Sequence, residues 1–195
     1  MRFRLSALIL PCFLAGPPAL HAADESGQFA VKGAGIADCS DFLQATRDRT
    51  EKLYLYGGWI NGYVSALNQT QEETYDLTPW QTTDFLATFI ARYCEQNPSE
   101  SFFKATADMV ADLKSQRLRQ RAQRVPVAVG EFKTHLYAST IKFMQERLKL
   151  QGHFQGPINS TYDPKTQEAV AAFQRGAELE ATGFPDQITL LRLFY

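Results

Sequence analysis

The sequence predicts an all-α protein built as two small helical domains, the first of them a disulfide-linked bundle. Three observations lead there. Apolar residues recur at three-to-four spacing in successive runs, such as Ile60, Tyr63, Val64 and Leu67, and later Ile141, Met144 and Leu148. Helix-start residues stand ahead of several runs, as in Thr78-Pro79, Asn97-Pro98 and Asp163-Pro164. Finally, Cys39 and Cys94 are the two cysteines left once an export signal is removed, and an isolated pair in an exported chain reads as a structural disulfide.

That signal occupies residues 1–22. Arg2 and Arg4 begin it, Leu5 to Ala15 is mostly apolar, and small residues near Ala22 offer a cleavage site, after Ala22 or Ala23. Pro11, Pro17 and Pro18 break the run, which is too short for a membrane span. Pro11 before Cys12 argues against lipid attachment. With Arg2 and Arg4 gone, 18 basic and 21 acidic residues leave a net charge of −3. No bulk attraction to nucleic acid follows from that balance, no nucleic-acid motif is present, and no integral span is expected after cleavage. The expected location is the periplasm.

Residues 23–37 carry glycines and little pattern and read as a flexible leader. The first domain is expected over 38–118. Asp38 or Ser40 caps a helix through Phe42 and Leu43. A second helix runs from Tyr56 with Trp59, Ile60, Tyr63, Val64 and Leu67 on one face. Glycine is costly within it, so Gly58 and Gly62 imply close approach of a neighbouring backbone. Thr78-Pro79-Trp80-Gln81 and Asn97-Pro98-Ser99-Glu100 both have capping-box spacing with proline at the first helical position. The expected bridge, Cys39–Cys94, staples the first helix to the third.

Lys114, Arg117, Arg119, Arg121 and Arg124 follow without an acidic residue between them. Two readings are open: a patch for anionic polymers or lipid head groups, or a solvated helix end that suits the negative pole of its dipole. Val125-Pro126 ends that helix, and 119–137 is expected to be a linker.

The remaining segment, 138–195, carries three short helical runs. Met144-Gln145 with Leu148 and Gly152, Gly156 with Ile158-Asn159, then Tyr162, Pro164 and Thr166, Ala169-Val170 with Phe173-Gln174, and Thr182-Gly183 with Asp186 and Thr189 form an ordered series. On these residues the segment resembles the three-helix peptidoglycan-binding domain found in many bacterial cell-wall enzymes. The resemblance implies a three-helix bundle and a peptidoglycan ligand. Two positions depart from it, since the family often has glycine where Ser160 and Asp163 stand.

Residues 38–118 resemble more loosely the periplasmic acid-stress chaperones of the HdeA type. The shared pieces are Cys39 with Asp41-Phe42-Leu43, Gly58-Trp59, Gly62-Tyr63, and Cys94 with Asn97-Pro98 and Phe102. That resemblance implies a small helical domain with one disulfide.

No catalytic residues, metal ligands or cofactor are expected. His135 and His153 do not form a His-Glu-x-x-His pair, and no Gly-x-Ser-x-Gly occurs. Glu100-Ser101 matches the catalytic pair of lytic transglycosylases in two letters only, and Glu100 reads as the partner in a capping box. Glycan recognition needs an aromatic platform with polar groups beside it. Phe154, Asn159, Tyr162 and Gln174 are the candidates for that role. Tyr162 can equally be core, and Gln145 and Gln174 can equally satisfy loop backbone groups. The expectation is a non-catalytic periplasmic protein that binds peptidoglycan and presents 38–118 to another protein. The alternatives are a holdase chaperone, or an inhibitor or immunity-type partner of a wall hydrolase.

Overall fold

The computed structural model describes residues 23–195; the expected signal peptide lies outside the described residues. Within 23–31 the Asp24 carboxylate accepts from the Ser26 and Gln28 amides and closes a turn. From Lys32 onward a second compact unit holds seven α-helices and one β-hairpin.

Helices α1 (Cys39–Asp48), α2 (Lys52–Thr70), α3 (Thr83–Gln96) and α4 (Phe102–Leu113) form the first bundle. Its centre is a cluster of three rings, Phe42, Tyr56 and Phe102, with centroids 4.7–5.0 Å apart. Ile60, Leu86, Ile90 and Val110 close round them. Cys39 and Cys94 are bonded and fully buried, tying α1 to α3 as expected.

Order begins earlier than Asp38. A 3-10 turn at Gly33–Ile36 packs on α2 and α4, and the Trp59 indole donates to the Lys32 carbonyl at 2.7 Å. The later part of the expected leader is therefore structured.

The two proline-led helix starts of the first bundle differ from expectation, for one reason. The backbone at those residues is already engaged elsewhere. At 97–101, Pro98 and Glu100 carbonyls accept from Ser40 and Cys39, and Phe102 N–H donates to Ala37. The cap moves to Ser101, whose hydroxyl accepts from Lys104 N–H. Glu100 thus lies before the helix and completes no capping box. At 77–82, Asn68 holds Leu77 N–H while Gln187 takes the Trp80 carbonyl and the Thr82 N–H, so Thr82 becomes the cap of α3.

Gly58 and Gly62 also differ: a Cβ built at either meets nothing within 4 Å. They face open space, and no neighbouring backbone needs them.

The stretch expected as helix end and linker is neither. Helix α4 stops at Leu113, and 124–137 folds as a hairpin of β1 (Arg124–Val129) and β2 (Phe132–Tyr137), paired antiparallel from Arg124↔Tyr137 to Val129↔Phe132. Val127 and Val129 point into the core while Pro126 and Ala128 are exposed, the period-two pattern of a half-buried strand. Gly130, at φ +57, supplies the left-handed residue of the two-residue turn. Three of the arginines in the basic run serve the chain itself. Arg117 donates to the Glu73 carbonyl, Arg119 pairs with the Glu73 carboxylate, and Arg124 lies 5.0 Å over the Tyr137 ring.

Helices α5 (Ala138–Leu150), α6 (Pro164–Gly176) and α7 (Gln187–Phe194) form the second bundle. Ile141, Met144, Leu148, Val170, Leu190 and Leu193 are its sealed centre. Trp80 and Phe85 from the first bundle enter this core, with Trp80 5.6 Å from Phe194. Tyr137 donates to Asp76 at 3.0 Å. The two bundles are thus joined by buried aromatic rings as well as by chain.

Candidate functional site

Two loops dominate the second bundle, one between α5 and α6 and one between α6 and α7. Each is short of regular backbone pairing, so its polar groups need other partners. Gln145 on α5 supplies them for the first loop. Its Oε1 accepts from the amides of Asn159 and Ser160 at 3.0 Å, and its Nε2 donates to Asn159 Oδ1, the Thr161 carbonyl and Thr166 Oγ1. Gln174 on α6 does the same for the second, accepting from Gly183 N–H at 2.8 Å and donating to the Phe184 carbonyl and Thr189 Oγ1. Both glutamines are 0% exposed.

Each loop ends in an aspartate cap. Asp163 Oδ1 accepts from Thr166 N–H at 2.8 Å with Pro164 at the helix start, and Asp186 Oδ1 accepts from Thr189 N–H at 2.7 Å. The cap holds the Asp163 carboxyl below the ordinary carboxylate range, chiefly through the Thr166 N–H. The N-cap geometry explains one departure from the family pattern, because Asp163 has φ −92 and gains a bond no glycine could make. Ser160 is different. It sits at φ +61, where glycine is at ease and serine is strained.

Tyr162 joins the loops: its hydroxyl donates to the Gly183 carbonyl. Burial pushes that hydroxyl well above the ordinary phenol range. Gly183, at φ +70, is required there, since a Cβ would lie 2.8 Å from Gln167 Cγ.

The four residues expected to meet a ligand therefore separate. Phe154 is 1% exposed beneath Gly156, whose Cβ would strike its ring at 2.5 Å, and it belongs to the core. Gln174 is sealed and works on the loop from within. Tyr162 is half-buried with its hydroxyl engaged. Asn159 alone is exposed, although its Oδ1 also bonds Thr161 N–H. The direct-contact expectation fails for Phe154 and Gln174, because the same shape that makes a good platform makes a good core residue.

What the loops do expose is a polar surface with an apolar edge. Asn159, Thr161, Glu180 and Ala181 face solvent, and Ile158 is 39% exposed. An aromatic face lies beside the second loop. Phe132 of the hairpin, 47% exposed, stacks on Phe184 at 5.4 Å, and Phe184 N–H donates to Thr182 Oγ1. Phe132 stands in a hairpin where the sequence pattern favours a linker. The signal was there in the alternation of Val125, Val127 and Val129 before Gly130. Among the described residues no group of three or more His, Cys, Asp or Glu side chains is placed to hold a metal ion. No helix among them is long and apolar enough to cross a membrane.

No curated protein and no solved structure matched the chain. One family model did, over the segment that contains both glutamine-held loops and all three helices around them. Residues 138–193 match the family described as "Putative peptidoglycan binding domain".

Proposed function

We propose that this is an exported, non-catalytic protein of the cell envelope that binds peptidoglycan through 138–195 and offers the helical domain 38–118 to a protein partner. The observation that carries the reading is the pair of loops pinned from beneath by Gln145 and Gln174, inside the segment that matches the family. A surface formed in advance loses little freedom on binding, and a wall polymer of weakly held sugars needs that advantage. Thr161 and Asn159 offer hydroxyl and amide groups to sugar hydroxyls and acetamido groups. The Phe132–Phe184 pair offers the flat apolar face on which a sugar ring stacks.

Co-sedimentation with purified sacculi tests the reading. The chain from residue 23 onward should pellet with sacculi at low and at physiological salt, because the contacts proposed are hydrogen bonds and stacking more than ion pairs. Retention in the supernatant at both salt levels removes wall binding from the account.

A further inference from the structure

Away from the two loops, a cavity of about 690 Å³ lies against α3, α4 and the end of α7, a volume typical of small-molecule sites. One wall is an aromatic ridge along α3, formed by Phe85, Phe89 and Tyr93 at intervals of four residues. Ala105 and Met109 of α4, a small residue and a deformable one, line it as well. Trp80 and Tyr195 bound it on the side of the second bundle.

The polar lining is one-sided. Asp108 and Asp112 lie on the rim, one turn apart, and no Lys or Arg is among the lining residues. Asp108 is matched by Lys104 at 2.7 Å. The exposed Asp112 side chain makes no hydrogen bond or ion pair among the described residues, and burial, with the nearby Asp112 charge second, raises the Tyr195 phenol's pKa. Aromatic faces attract cations, and an unmatched carboxylate beside them does the same at longer range. An anion would meet both with repulsion.

The geometry points to a second binding site here, for an organic cation with an apolar body: an amine or quaternary ammonium at Asp112, its hydrocarbon or ring portion laid along Phe89 and over Met109. The site is independent of wall binding and survives if that reading falls.

Three probes of matched shape test it by calorimetric titration of the full chain at pH 7: 4-phenylbutylammonium, 4-phenylbutan-1-ol and 4-phenylbutyrate. The cation should bind saturably, the alcohol about fivefold more weakly, in line with one partly exposed ion pair, and the carboxylate more weakly still. Asp112→Asn should bring the cation down to the alcohol's affinity and leave the alcohol unchanged. Asp112→Glu should restore the preference, which separates charge from a folding effect. Phe89→Ala should weaken all three probes and so locate them. Equal affinity of cation and carboxylate overturns the proposal, as does no saturable binding of the cation, or a preference that persists in Asp112→Asn.

Discussion

Gln174 does for the loop before α7 what Gln145 does for the loop before α6. Each carboxamide accepts loop N–H groups through Oε1 and donates through Nε2 to a threonine at the third position of an aspartate-capped helix, Thr166 in one case and Thr189 in the other, both at 2.9 Å. The second bundle thus uses one device twice, with the helix, the buried glutamine, the loop and the capped helix in the same order. A buried amide whose donors and acceptors are all used fixes a loop more firmly than apolar contact does, because every alternative leaves a polar group unpaired.

Removing either glutamine should therefore cost more than its size. Gln145→Ala strands the amides of Asn159 and Ser160 and the hydroxyl of Thr166, and a loss of about 3 kcal/mol is expected. Gln174→Ala should cost a similar amount. Denaturant unfolding measures both, and a loss below about 1 kcal/mol would show that water replaces the carboxamide without penalty.

Ser160 offers the opposite sign. At φ +61 it occupies a conformation that glycine adopts freely. Ser160→Gly should stabilise the chain by up to about 1 kcal/mol, part of the gain being offset by the greater freedom of glycine when unfolded. Equilibrium unfolding reads the difference directly.

Two titrating groups of the same region predict opposite pH limits. The folded pKa of Asp163 is lowered, so its cap contributes fully above the unfolded value of about 3.9 and is lost as pH falls through the folded pKa. Asp163→Asn should flatten that acid limb while keeping much of the cap. The folded pKa of Tyr162 is raised by burial, so its contribution is complete below about 10 and is lost as pH rises beyond it. Tyr162→Phe should lessen the alkaline decline and leave a remainder, since Tyr56, Tyr63, Tyr137 and Tyr195 are raised as well.

The disulfide makes a separate prediction. It closes a span of 55 residues, for which chain entropy gives about 4 kcal/mol. Cys39→Ser with Cys94→Ser should lower the thermal midpoint by many degrees. The loss should reach the second bundle too, because Trp80 of the first is part of its core. Melting followed by near-ultraviolet circular dichroism should show one shifted transition.

Much of the helical fold was legible because local chemistry and tertiary demand agree there. The Asp163-Pro164 and Asp186 caps stand where they were expected, and so do the apolar faces of α2, α5 and α6. The misreadings share a different cause. Thr78-Pro79 and Asn97-Pro98 are good local helix starts, yet distant partners take their backbone: Gln187 in the first case, the start of α1 in the second. Nothing near those residues in the chain announces such partners. The hairpin is legible in the alternation of Val125, Val127 and Val129, but the basic run and Pro126 favour a linker there. At the site, the residue types were informative about loop-holding and not about contact, since Phe154 and Gln174 have the same chemistry whether they face a sugar or the interior.

The most direct test of the account is the binding isotherm on sacculi of the wild-type chain beside Phe132→Ser with Thr161→Ala, two exposed positions whose replacement should leave the thermal midpoint in place. The account predicts saturable binding by the wild type and a loss of about tenfold or more in the double variant, the scale of two modest contacts. Equal binding by both proteins, or none by the wild type, contradicts it.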